Sequence, residues 1–96
     1  MHLQNLPYTI FSLGDAAITI DYGNTIDEMI NQKVINLFHQ LKENPLSGMI
    51  DIVPAYSSLT IHYDIIKVRK NNPGTSTAFE TVKHLVEERM HQPVQQ

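Results

Sequence analysis

The chain has 96 residues, a length that supplies one hydrophobic core and not two. Its composition, 42% hydrophobic and 18% charged, is ordinary for a globular protein, and no apolar run approaches the roughly 20 residues of a membrane-spanning helix. A net charge of −3, with basic residues scattered apart from Lys67, Arg69 and Lys70, offers no face to neutralise a run of phosphates, and zero cysteines exclude disulfides, thiolate metal sites and a thiol nucleophile. Neither nucleic acid nor a membrane is an expected partner. The start, Met-His-Leu-Gln-Asn-Leu-Pro, has no basic region followed by a long apolar stretch, so the expected location is the cytoplasm.

Residues 8–13, Tyr-Thr-Ile-Phe-Ser-Leu, are rich in β-branched and aromatic types and predict a first strand. Gly14 and Asp15 supply a turn. Residues 16–22 predict a second strand, in which Ile18, Ile20 and Tyr22 alternate with Ala17, Thr19 and Asp21 and so share one face. A connection this short permits only antiparallel pairing. Gly23 and Asn24 then break the strand, and Thr25 to Glu28 form a capping-box pattern from which a helix is expected to start. Ile26, Ile30, Val34, Leu37 and Leu41 recur at helical spacing, with Met29 and Phe38 widening the apolar stripe. The helix is expected to end near Glu43, because Asn44 precedes Pro45 and a residue before proline is pushed out of helical geometry.

The stretch from Gly48 to Asp64 predicts a second hairpin: residues 49–53 and 58–63 are β-rich and flank the break Pro54, Ala55, Tyr56 and Ser57. In its second arm Leu59, Ile61 and Tyr63 alternate with Ser58, Thr60 and His62, which assigns the first three to the core. Residues 65–70 are expected to continue or trail off this strand. Asn71, Asn72, Pro73 and Gly74 form a dense turn signal, and Thr77 to Glu80 form a second capping box. It opens a helix marked by Phe79, Val82, Leu85, Val86 and Met90, ending near His91. Residues 92–96 are expected to be a loose tail or the start of a linker.

The predicted fold class is α+β, a two-layer ββαββα domain over residues 1–91. Its four-stranded, mainly antiparallel sheet carries both helices on one face, since each apolar stripe needs the sheet to bury it. The other face then presents Thr19, Asp21, Thr60 and His62 to solvent or to a partner.

No residue pattern points to a catalytic centre. Ser57 and Ser58 lack both a Gly-x-Ser-x-Gly elbow and an identifiable base, and serine suits turn hydrogen bonding. His62 and Asp64, two apart on a strand, share a face but have no third ligand, so no metal site is nominated. Asp15 is placed where an aspartate bonds its own backbone or serves a functional role. Tyr56, at the hairpin tip, is either an exposed contact residue or folded back on the core. His39, His84 and His91 are expected to face solvent.

Val53 to Asp64, Val-Pro-Ala-Tyr-Ser-Ser-Leu-Thr-Ile-His-Tyr-Asp, resembles the Pro-Ala-Tyr-x-Ser-Leu-x-Val-x-Tyr-Asp signature of a bacterial family. That family includes allophanate hydrolase subunit 1, the B component of 5-oxoprolinase and the antikinase KipI. Leu13 to Ala17 is similar to its Gly-Asp-x-Ala motif, and Gly48 to Ile50 is similar to its Gly-Ile/Met-x-Glu lead into the hairpin. The resemblance implies an N-terminal ββαββα domain, normally followed by a cyclophilin-like domain that 96 residues cannot contain. It implies a scaffold or docking role, with no cofactor in this domain and ATP used by the full complex. The implied partner is an allophanate hydrolase subunit 2 (KipA-like) protein, in ATP-dependent conversion of 5-oxoproline to glutamate. The alternatives within the family are inhibition of a sensor histidine kinase and membership of a biotin-dependent carboxyltransferase. Asp15, Tyr56, Ser57, His62 and Asp64 are the candidate partner-binding or functional residues.

Overall fold

The computed structural model of the chain describes residues 8–23, 27–74 and 77–91. Seven elements follow in order: β1 (Thr9–Ser12), β2 (Ala17–Asp21), α1 (Glu28–Glu43), β3 (Met49–Pro54), β4 (Ser58–Tyr63), α2 (Ile65–Asn71) and α3 (Ala78–Met90). The strands form one sheet in the order β1-β2-β4-β3, each neighbouring pair antiparallel. Both predicted hairpins are present, and the second crosses over to set β4 beside β2. The fold is thus α+β with a four-stranded antiparallel sheet and three helices.

The alternation read from the sequence is what places the core. Ile18 lies opposite Ile61 and Ile20 opposite Leu59 across the β2–β4 ladder, and all four are fully buried. Tyr63 joins them on the same face, at 2% exposure. α1 lies over β3 and β4 and contributes Ile30, Val34, Leu37 and Leu41; α3 lies over β2 and contributes Val82 and Val86. Burying such side chains is worth about 1.5–3 kcal/mol each, so this shared layer supplies most of the drive to fold. His39, His84 and His91 are exposed, as their places on the helices suggest.

Three features depart from expectation at the helices. The residues after β4 do not extend the strand. They form α2, because the Asp64 carboxylate accepts the Lys67 N–H at 3.0 Å as an N-cap, and because Val68 is drawn fully into the core. α1 is capped by Asp27, whose carboxylate accepts the Met29 N–H at 2.8 Å, rather than through the Thr25 capping box. Thr25 and Ile26 themselves lie outside the described residues, as does the tail over 92–96. Met29 is 46% exposed, so the stripe is narrower than its sequence suggests. α3 begins as predicted: the Thr77 hydroxyl accepts the Glu80 N–H at 3.0 Å. No helix among the described residues is long and apolar enough to cross a membrane.

Candidate functional site

The second hairpin and the helix-free face of the sheet carry most of the candidate residues. At the hairpin tip the Ala55 N–H donates to the Ser58 carbonyl at 2.8 Å, closing the turn that Pro54 opens. Ser57 ties this turn to the end of β2: its hydroxyl donates to the Gly23 carbonyl, and its own carbonyl accepts the Tyr22 N–H at 2.9 Å. The Asn31 side-chain amide, on α1, donates to the Tyr56 carbonyl at 2.9 Å. The tip is therefore held from both sides by its backbone, while Tyr56 is left 44% exposed. Of the two readings of Tyr56, the outward one holds.

Asp64 and Gly48 form a second tie. The Asp64 N–H donates to the Gly48 carbonyl at 2.8 Å while its carboxylate caps α2. Gly48 sits at φ +82, and a Cβ there would lie 2.6 Å from Val68 Cγ2. The strand thus ends at Tyr63, and Asp64 turns away into the helix cap instead of sharing the His62 face. Asp15 is exposed in the β1–β2 turn. Burial, and after it the Asp15 carboxylate, push the Tyr63 phenol above its ordinary pKa. The structure therefore brings Ser57 and Tyr56 together at the tip and sets His62, Asp15 and Asp64 apart from them.

On the helix-free face, one row runs across all four strands in register: Phe11, Thr19, Thr60 and Val53. The two threonine hydroxyls lie 2.9 Å apart and satisfy each other. Thr19 is only 6% exposed, so it is not the open polar residue the sequence suggests; an interior strand hides small side chains between taller neighbours. Phe11 at 40% and Val53 at 48% stand exposed at the two ends of the row, with Leu13 beyond β1 at 53%. His62 is half-buried on this face, opposite Ala17 on one side and Asp51 on the other. Among the described residues no three His, Asp or Glu side chains converge as a metal site would require.

Sequence reasoning missed the apolar character of this surface. The signal was present: Thr9, Phe11 and Leu13 share a parity opposite to Tyr8, Ile10 and Ser12, and only one set can face the helices. Chemically, the face offers apolar ends and a self-satisfied polar middle, next to an anchored, outward aromatic. Such a surface suits contact with another protein.

Residues 8–96 match the family described as carboxyltransferase domain, subdomain C and D. The chain belongs to this family. It is 43% identical over 84 residues to the B component of 5-oxoprolinase from Bacillus subtilis (strain 168), an alignment covering 86% of this chain and 35% of that protein. The chain therefore spans about a third of that relative's length. Among solved structures, the N-terminal domain of the histidine kinase inhibitor KipI from Bacillus subtilis superposes with a TM-score of 0.75 at 42% identity, covering 88% of this chain and 84% of that one. A conserved uncharacterized protein of Pyrococcus horikoshii gives 0.61 at 30% identity, covering 84% of this chain and 37% of that one. Urea carboxylase of Kluyveromyces lactis shares the fold, with a TM-score of 0.64 at 21% identity over 90% of this chain and 7% of that one. Two of these solved structures thus carry this fold within much longer chains, and the resemblance read from the hairpin signature is to the right family.

Proposed function

We propose that this chain is the docking domain of a protein like the B component of 5-oxoprolinase, acting in the bacterial cytoplasm with an allophanate hydrolase subunit 2 (KipA-like) partner. In this reading the assembled complex opens 5-oxoproline to glutamate with hydrolysis of ATP, and this domain contributes surface rather than reacting groups. The observation that carries it is the 43% identity to that 5-oxoprolinase component across 86% of the chain. The geometry supports the passive role: the Ser57 hydroxyl and the Asp64 carboxylate are engaged in holding the hairpin and α2. Tyr56 and the Val53 end of the open face are among the apolar surfaces the domain turns outward.

The test is co-purification of the chain with the KipA-like protein in mild salt, repeated with Val53→Glu and Tyr56→Ala. Capture by the unmodified chain, lost on charging Val53 while the thermal midpoint holds, is the expected result. Absence of capture by the unmodified chain sinks the proposal.

A second reading has its own observation, the superposition on the N-terminal domain of a histidine kinase inhibitor at a TM-score of 0.75. On that reading the partner is a sensor histidine kinase. Autophosphorylation of the kinase, measured with and without this chain, separates the two: inhibition supports the kinase, and an unchanged rate favours the 5-oxoprolinase role.

A further inference from the structure

The two edges of the sheet are not alike. β3 is guarded: its ladder is interrupted between Met49 and Asp51, Asp51 charges it, and Pro54 ends it. These are the devices by which natural edge strands discourage pairing. β1 carries none of them, since Thr9, Ile10, Phe11 and Ser12 are uncharged and its register on β2 is unbroken. Among the described residues no strand covers its outer side.

The direction of its free backbone groups follows from one hydrogen bond. The Leu13 N–H donates to the Ala17 carbonyl at 2.9 Å, continuing the ladder in which Ser12 faces Ile18. Hydrogen-bonded and non-hydrogen-bonded pairs alternate along an antiparallel ladder, so Leu13, Phe11 and Thr9 bond inward to β2, whereas Ile10 and Ser12 direct their N–H and C=O groups outward. An antiparallel copy of β1 satisfies all of these outward groups in one register: Ile10 pairs with the partner's Ser12 and Ser12 with the partner's Ile10. The two-fold axis then passes by Phe11, which faces its own counterpart as a non-hydrogen-bonded pair, the position where side chains come closest.

We propose that β1 is a homotypic docking edge, on which a second copy of this chain adds antiparallel in the Phe11-to-Phe11 register to make one continuous sheet. Three independent facts converge on a second copy as the occupant. A two-fold sets each side chain near its own kind, which repels any charged edge, and this edge has no charge. The register that uses the free backbone groups is also the one that covers the exposed Phe11 ring with another aromatic. Leu13, 53% exposed, meets the partner's Thr9 rather than an acidic or basic side chain. A four-residue edge falls well short of the ~1,200–2,000 Å² of a tight interface, so the dimer is weak and concentration-dependent.

Because the chain has no cysteine, single cysteines report the register directly. The Cα atoms of a non-hydrogen-bonded pair are ~4.5 Å apart, inside the ~4.4–6.8 Å span of a disulfide. Under mild oxidation, Phe11→Cys is expected to give a covalent dimer at least about tenfold faster than Ile50→Cys on the opposite edge, whose ladder is guarded. Thr9→Cys and Leu13→Cys are expected to cross-link when mixed but not alone. Sedimentation of the unmodified chain is expected to show a reversible dimer, weakened about tenfold or more by Phe11→Lys, which sets like charges across the axis. A chain that stays monomeric up to roughly millimolar concentration overturns the proposal, since even weak interfaces associate there. So does faster cross-linking at Ile50 than at Phe11. If Phe11→Cys fails to fold by circular dichroism, the mixed Thr9 and Leu13 pair decides the register by the same criterion. No partner protein enters these measurements, so their outcome is independent of the 5-oxoprolinase reading above.

Discussion

Gly48 shows how much of a signature residue's worth is steric. It sits at the start of β3 with a positive φ, its carbonyl accepts the Asp64 N–H, and the Val68 side chain fills the space a Cβ would take. Left-handed backbone costs a non-glycine residue roughly 1–2 kcal/mol, and the clash with Val68 adds to it. Gly48→Ala is therefore expected to lower stability by about 2 kcal/mol or more in urea unfolding. Gly74 also has positive φ but nothing within 4 Å of its missing Cβ, so Gly74→Ala is the milder control. Equal losses in the two variants would show that the Val68 contact carries no weight. The same contrast between appearance and role applies to Ser57. Its hydroxyl fastens the hairpin to Gly23, a task that the residue's place in a turn suggested but that its partner, 34 positions away, did not.

At the scale of the element, α2 is the instructive case. Ile65, Ile66, Lys67, Val68 and Arg69 have the β-branched content of a strand, and following β4 directly they read as its continuation. Two tertiary facts reverse that: Asp64 supplies the N-cap, and only a helical path carries Val68 from β4 into the core beside Gly48. The basic residues Arg69 and Lys70 in the last turn also suit the negative end of the helix dipole. Asp64→Ala is expected to cost about 1 kcal/mol by loss of the cap, whereas Asp64→Asn or Asp64→Ser retains most of it. Chemical denaturation distinguishes these, and an Asp64→Ala variant as stable as the parent would remove the cap from the explanation. α1 tells a smaller version of the same story. The Thr25 pattern pointed to the right neighbourhood, and Asp27 two residues later does the capping.

For the molecule as a whole, the closing of the sheet on its helices is tied at the N-terminal strand by Tyr8. Its hydroxyl donates to the Glu87 carboxylate at 3.0 Å, joining the start of β1 to α3 across 79 positions, and its ring meets Tyr22 edge-on. Burial first, and then the Glu87 hydrogen bond and charge, raise its pKa to about 12 from 10.0. Burial pushes Tyr22 and Tyr63 in the same direction. A folded pKa above the unfolded one means the contribution is whole below about pH 10 and is lost as pH climbs toward 12. Stability measured by denaturant titration should fall across that window, and Tyr8→Phe should flatten the fall. An unchanged slope in Tyr8→Phe would take Tyr8 out of the alkaline transition.

Features with a local period or a local chemical cause were legible in the chain alone: the alternation of Ile18 and Ile20 and of Leu59, Ile61 and Tyr63, the stripe of α1, the Thr77 cap and the hairpin at Pro54. Each is settled by residues within a few positions of one another. It took the folded arrangement to turn residues 65–71 into a helix, to hide Thr19, to leave Met29 exposed, and to make β1 rather than β3 the unguarded edge. Those outcomes depend on which side chain lies across a strand or beneath a helix, and that neighbour is set by packing and not by adjacency in the chain.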